Sequence, residues 1–282
     1  MTYSELYAYA RNTLKQAGNE SSVYEARCLI EVFFSLDRIR LSERGAQSPE
    51  PESEKAFVDA VKKRAEGYPL QYLSGLWSFM GRDFYVGDGV LIPRDDTEVA
   101  VRTCYEAMRS MKAPRAADLC SGSGIIAVTL GKMLPDADIK ALELEDKAYE
   151  FLERNISLNE CKNVRAVKGD IFKSYCDFAD GSLDAIVSNP PYVERLVIPT
   201  LQREVQYEPL SALDGGVDGL DFYRCIAQRW TKKLRSGGVI TLEIGEGQTD
   251  AVKKMLEDNG IADIKIIKDI QELDRVIFGT KI

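Results

Sequence analysis

The chain has 282 residues, 45% of them hydrophobic and 29% charged, which suits one large domain or two smaller ones with a sizeable core and no need for staples. A formal charge of −8 argues against a free-standing binder of nucleic-acid backbone, which needs a basic footprint. The chain has no histidine, so imidazole bases, Ser-His-Asp triads and Cys-His pairs are excluded, and chemistry falls to carboxylates, amides, backbone groups, Tyr, Lys or a cofactor.

The N-terminal segment is expected to be helical. Thr2-x-x-Glu5 and Ser22-x-x-Glu25 both have capping-box spacing. Leu6, Ala10, Leu14 and Ala17 follow the first at helical intervals, with Gly18 as its stop, and Ala26, Leu29, Ile30 and Phe33 follow the second. A third helix is predicted from Ser53 to Glu66, ended by Gly67, with Pro69 opposing a restart. From Leu76 to Val86 the pattern alternates, with Trp77 and Phe79 facing Phe84 and Val86 across a turn near Gly81-Arg82. That predicts a hairpin bridging two domains.

Beyond about residue 93, short apolar stretches alternate with helical patterns. Strands are predicted at 116–120, 139–144, 164–167, 185–188, 239–244, 264–267 and 275–279, and helices around 97–110, 125–133, 146–159, 221–235 and 249–259. This alternation predicts an α/β domain with a mostly parallel sheet, whose ligands bind at the carboxyl ends of the strands near the point where strand order reverses. The expected division is a helical domain over 1–75, a hairpin linker over 76–92 and an α/β domain over 93–282. The six cysteines (Cys28, Cys104, Cys120, Cys161, Cys176 and Cys225) are scattered with no Cys-x-x-Cys pair. They read as reduced thiols of a cytoplasmic protein, with no metal site. The start of the chain has neither a basic nor an apolar signal segment, and no apolar run reaches spanning length, so no membrane association is expected.

The first predicted strand of the α/β domain runs into Asp118-Leu119-Cys120-Ser121-Gly122-Ser123-Gly124. The glycines permit a tight turn and close backbone approach to a ligand, and a helix N-terminus with unpaired N–H groups follows. Glu143 ends the next strand, where a carboxylate can accept from two ribose hydroxyls. The same residues satisfy a dinucleotide fingerprint, Gly122-x-Gly124-x-x-Ala127 with Glu143 as the ribose acid, so a nicotinamide enzyme competes at this point, as does a turn without a ligand. Asp118 favours a cationic ligand over a pyrophosphate, which it would repel. S-adenosylmethionine carries an ammonium and a sulfonium and no phosphate. Asp170, after the third strand, could accept from an adenine amino group, with Ile171 and Phe172 as apolar surface; a plain turn role is the alternative.

The fourth strand ends in Ser188-Asn189-Pro190-Pro191-Tyr192. Methylation of an amide or exocyclic amine needs acceptors for both N–H groups, because the nitrogen lone pair is otherwise delocalised. The Asn189 side-chain oxygen and the Pro190 carbonyl can serve, the prolines fix φ, and Tyr192 can lie against the planar group. A Pro-terminated strand with no ligand is the bland alternative.

With these residues in view, the chain resembles the HemK-type protein-(glutamine-N5) methyltransferases that modify peptide chain release factors. Asn189–Tyr192 alone is shared with adenine-N6 and guanine-N2 nucleic-acid methyltransferases. The resemblance also runs through Leu91-Ile92-Pro93-Arg94, Thr97-Glu98, Glu208-Pro209, Leu242-Glu243-Ile244-Gly245 and Asp274-Arg275-Val276, and its more family-specific parts are the helical N-terminus with Tyr68-Pro69-Leu70-Gln71-Tyr72 and the segment Gly215-Gly216-Val217-Asp218-Gly219-Leu220. The resemblance implies a Rossmann-like class I methyltransferase domain with a seven-stranded sheet behind an N-terminal helical bundle. It implies S-adenosyl-L-methionine as methyl donor, with S-adenosyl-L-homocysteine as product. It also implies, as substrate, the glutamine of the Gly-Gly-Gln motif in class 1 release factors, gripped in part by the helical domain.

Carried over by position, Asn189, Pro190, Pro191 and Tyr192 would hold the glutamine. Asp118, Cys120, Ser121, Gly122, Ser123, Gly124, Glu143, Asp170, Ile171 and Asn189 would line the cofactor. The chain departs from the family pattern at Asp95, where proline is usual, at Gln271-Glu272-Leu273, and at Ile171, often a bulkier aromatic. A monomer without direct nucleic-acid binding is expected. A nucleic-acid amino methyltransferase is the runner-up, ahead of a dehydrogenase and of a silent scaffold.

Overall fold

A computed structural model describes all 282 residues, and the chain divides into two compact units: Met1–Leu76 with Gln202–Tyr207, and Trp77–Leu201 with Glu208–Ile282. The first unit contains α1 (Tyr3–Gln16), α2 (Ser22–Phe34), α3 (Arg38–Arg44), α4 (Pro51–Ala65) and α5 (Leu70–Ser74). At α1 the capping box forms as its spacing predicts: Glu5 N–H donates to Thr2 Oγ1 at 3.3 Å and Thr2 N–H to Glu5 Oε2 at 2.8 Å. The second box does not form. Ser21, not Ser22, takes the N-cap position and makes no side-chain cap, while Glu25 is drawn into the interior.

There Arg64 of α4 reaches across to Glu25 (Nη2 to Oε1, 3.0 Å) and also holds Glu204 at 3.0 Å. The long-range ion pair outcompetes the local box. Pro69 opens α5 from its N-cap position instead of preventing a helix, since a missing N–H costs nothing there. The core of the unit is apolar and aromatic: Leu6, Ala10, Leu14, Leu29, Ile30 and Val61 are fully buried, and Phe57 packs against Phe33 and Phe34 at 5.8 and 5.2 Å.

From Trp77 onward the second unit begins with β1 (Leu76–Phe79) and β2 (Arg82–Tyr85), joined through Met80 and Gly81 at φ 48° and 73°. Two positive φ values in a two-residue loop match the right-handed twist of a hairpin. Phe79 and Phe84 sink into the core shared with Val101, Ile126 and Leu152.

Then come α6 (Thr97–Met108), β3 (Arg115–Leu119), α7 (Ile125–Met133), β4 (Asp138–Glu143), α8 (Asp146–Leu158), β5 (Val164–Lys168), β6 (Leu183–Ser188), α9 (Asp221–Cys225), β7 (Leu234–Glu243), α10 (Thr249–Glu257), β8 (Ile261–Lys268) and β9 (Asp274–Lys281). Seven strands form one sheet in the order β5-β4-β3-β6-β7-β9-β8, parallel except that β9 runs antiparallel to β7 and β8. Apolar clusters cover both faces.

Two predicted elements differ. The helix expected over 221–235 is α9 followed by a π turn over Ile226–Trp230 and a 3-10 turn over Thr231–Lys233. The widened turn brings Trp230 Nε1 onto the Ile171 carbonyl at 3.0 Å. The strand expected from Val239 starts at Leu234, because Gly237, at φ 74°, carries the chain through an irregularity in the β6–β7 register. No helix is long and apolar enough to cross a membrane.

Arg64→Met should destabilise the chain by ~3 kcal/mol, because it strands the Glu25 carboxylate in the interior. Urea denaturation would check this, and Glu25→Gln in the same chain should restore part of the loss.

Candidate active site

Strand order reverses between β3 and β6, so the loops leaving their carboxyl ends splay apart and leave a crevice. Its first wall is the turn after β3. Cys120, Gly122 and Gly124 all have positive φ (58°, 55° and 84°), so the backbone doubles back at every second residue. A non-glycine residue in that region is strained, and Cys120 is retained there by the bonds around it. Ser121 N–H donates to the Leu142 carbonyl at 2.9 Å, Ser121 Oγ to the Asp118 carbonyl at 3.0 Å, and Gly122 N–H to Glu143 Oε2 at 2.8 Å. A Cβ on Gly124 would stand 2.5 Å from Leu152 Cδ1 of α8, so only glycine admits this helix packing.

Asn155, fully buried on α8, ties the turn to the hairpin. Its Nδ2 donates to the Ser123 and Tyr85 carbonyls at 2.8 and 3.0 Å, and its Oδ1 accepts from Tyr85 N–H at 2.6 Å.

The opposite wall is the exit of β6. Asn189 Nδ2 donates to Thr97 Oγ1 at the start of α6, at 3.3 Å. Behind Tyr192 lies the Gly215–Leu220 loop. A Cβ on Gly215 would come within 2.8 Å of Tyr192 Cα, and one on Gly219 within 2.4 Å of the Tyr192 carbonyl oxygen. Gln248 pins both segments, donating to the Tyr192 carbonyl at 2.9 Å and the Gly219 carbonyl at 3.2 Å while accepting from Gly245 N–H. Glu208, buried, accepts from Ile92 N–H at 3.0 Å and from Arg94, fixing the strip that leads into α6.

Cys120, Ser121, Gly122, Ser123, Glu143, Asp170, Ile171, Asn189 and Pro191 line one cavity, joined by Thr97, Arg94, Phe172 and Phe222. Asp118, Gly124, Pro190 and Tyr192 do not contribute to its wall. Asp118 is fully buried beneath the turn, where Oδ2 accepts from Ala127 N–H at 3.2 Å and Oδ1 has no partner. Burial pushes its carboxyl up to about 7, against the nearby Ser121 hydroxyl and the Ala127 N–H, which lower it. Burial likewise raises Glu143, holds the Cys120 thiol well above its ordinary range and lifts the Tyr192 phenol to about 12. Both thiol and phenol are therefore protonated at neutral pH.

Asn155, Gln248 and the Thr97 hydroxyl escaped a reading of residues by periodicity. Asn155 sits on the helical spacing of the buried face of α8, and a polar residue in an apolar stripe is the signal that could have found it.

A sheet of this order, with the antiparallel strand next to last and a glycine turn after β3, defines a Rossmann-like class I methyltransferase domain. Its fold is similar to the solved structure of a methyltransferase from Pyrococcus furiosus, with a TM-score of 0.52 at 21% identity over 72% of this chain and 91% of that one. A family model described as the PrmC N-terminal domain matches residues 5–75, and one described as the methyltransferase small domain matches residues 94–205. The release factor glutamine methyltransferase of Thermodesulfovibrio yellowstonii is 39% identical over 92% of this chain and 93% of its own length. That of Geobacter sulfurreducens is 38% identical over 99% of this chain and 96% of its own. The chain belongs to the release factor glutamine methyltransferase family.

An Asp whose carboxyl is raised from 3.8 to about 7 on folding contributes stability that is fully present below about 4 and is lost as pH rises through about 7. Asp118→Asn keeps the acceptor for Ala127 but does not titrate. Its stability relative to the natural chain should therefore rise between pH 4 and 8, and urea midpoints at the two ends would measure it; parallel curves would mean that Asp118 titrates normally.

Proposed function

We propose that this enzyme transfers a methyl group from S-adenosyl-L-methionine to the side-chain amide nitrogen of the glutamine in the Gly-Gly-Gln motif of class 1 peptide chain release factors, giving S-adenosyl-L-homocysteine. The observation that carries the reading is Asn189, half-buried at the end of β6, on the wall of the same cavity as the Cys120–Ser123 turn. Family membership supplies the release factor as substrate class, since the relatives bear that name.

The residues fit the methyl donor. Glu143 spends one lone pair of each oxygen on the Gly122 and Glu145 N–H groups, and the remainder can accept from ribose hydroxyls. Asp170 is fixed by the Phe172 N–H at 2.9 Å, with the buried Ile171 and the Phe172–Phe222 pair beside it as apolar surface for adenine. Asp118, with an unpartnered oxygen, lends negative potential beneath the turn, which suits a cationic ligand and disfavours a pyrophosphate. When bound, the donor supplies an electrophilic methyl group on a sulfonium.

The chain's own residues do the rest. Asn189 Oδ1 and the Pro190 carbonyl accept from the two N–H groups of the substrate amide, drawing density toward the out-of-plane lone pair. Fixed φ at Pro190 and Pro191 aims that carbonyl with little ordering entropy, and Tyr192 lies against the planar group. No base is needed before transfer, because the nitrogen becomes acidic only as it gains the methyl group. The reading takes the enzyme as a monomer acting on protein without nucleic acid, in keeping with the net charge of −8.

Methyl-labelled cofactor with either release factors or naked nucleic acid tests this. Label should appear on the release factor glutamine, and label on nucleic acid alone would favour an amino methyltransferase of bases. Asn189→Ala should raise the barrier by ~2–4 kcal/mol while cofactor affinity survives. Gly215→Ala, which drives a methyl into the Tyr192 backbone, should cut turnover by ~100-fold. Equal loss of cofactor binding in that variant would mean the loop serves the fold, not the amide cradle.

A further inference from the structure

Asn189 presents two chemically opposite ends, and the proposed reaction works with only one of them outward. With Oδ1 toward the cavity, Asn189 accepts from the substrate amide. With Nδ2 outward, it would set donor against donor. The only neighbour bonded to its amide is Thr97 Oγ1, and a hydroxyl is both donor and acceptor, so Thr97 alone leaves the choice open.

The choice is closed one step further back. Glu243 is the last residue of β7, and the β6–β7 register pairs Ser188 with Leu242, which places Glu243 beside Asn189 on the adjacent strand. It is buried at 1% exposure, and the Thr97 hydroxyl lies close enough to its carboxyl to pull it down against the effect of burial. Oε2 has no partner. Arg275 lies near, but it is engaged by Asp269 at 3.0 Å and Asp96 at 3.4 Å. Arg94 is engaged by Glu208. Thr97 itself has no solvent exposure, so water does not compete for its hydroxyl.

We propose that Glu243 and Thr97 set the polarity of the Asn189 amide: the Glu243 carboxylate takes the Thr97 O–H, the Thr97 oxygen is left to accept from Asn189 Nδ2, and Asn189 Oδ1 is thereby held toward the substrate nitrogen. Burial lifts the Glu243 carboxyl to about 7, so the ionised form is populated at neutral pH and predominates above it; that form only accepts, and the direction of the whole chain starts there. Glu243 and Thr97 are positioning residues in this scheme: they act through Asn189. The inference rests on the amide-methylation reading above, which supplies the reason that one face of Asn189 must accept.

The test uses the full chain with a release factor and labelled cofactor, and measures turnover, KM for the release factor, and affinity for S-adenosyl-L-homocysteine. Thr97→Val removes the hydroxyl with little change of shape, and should cut kcat by ~30-fold with KM and product affinity within about threefold. Thr97→Ser, which restores the hydroxyl, should recover kcat to within about threefold. Glu243→Gln can donate to Thr97 as well as accept, and should lose about as much as Thr97→Val. Because the two act in series, the double variant should be no slower than the worse single one. Natural turnover in Thr97→Val would overturn the proposal while leaving the methylation reading intact. So would multiplicative losses in the double variant, or a Thr97→Ser that fails with weakened product affinity, which would mark a packing role. No label on the release factor with the natural chain would overturn both.

Discussion

Ser188 Oγ donates to the Leu119 carbonyl at 2.6 Å, joining the ends of β6 and β3 at the point where the strand order reverses. Ser188 is fully buried there, so this bond is not exchanged with water. It fixes the separation of the two chain exits on which the cavity depends. On one side the chain leaves into the strained turn at Cys120, and on the other into Asn189 and two prolines. Everything else in the site braces these exits from behind: Asn155 and Glu143 for the turn, Gln248 and the Gly215–Leu220 loop for the prolines.

Bracing by backbone contact explains the cluster of glycines. Gly215 and Gly219 lie so close to the Tyr192 backbone that any side chain would displace it. The motif and its support are far apart in sequence, and each makes sense only beside the other. A rigid cradle suits the proposed chemistry, in which a weak nucleophile is aligned and polarised and no strong base acts. The same logic accounts for the buried acids. Asp118 and Glu243 are both raised to about 7 by burial, and each keeps one oxygen without a partner. Such groups are costly to a fold, and they cluster where a site uses their charge.

Much of this was legible in order along the chain. The alternating apolar stretches marked every strand of the large sheet, and of the residues singled out in the sequence Gly122, Glu143, Asn189 and Pro191 came to line one cavity, whereas Asp118, Gly124, Pro190 and Tyr192 did not. The Thr2-x-x-Glu5 box formed because nothing distant competed for it. Its counterpart at Ser22 did not, because Arg64 claimed Glu25 from another helix. Asp118 carries a charge sign that could be read from its position, but its depth beneath the turn could not.

Local chemistry therefore determined the elements, the chain exits and the types of polar group at the rim, since propensity, capping and proline act over a few residues. Tertiary structure decided which of those groups face the cavity and which support it. Thr97 stands on α6, Glu243 ends β7 and Asn189 follows β6, and the three come together only after the sheet assembles. The orientation of one amide is a property of a hydrogen-bond chain through three elements, and no stretch of sequence contains it.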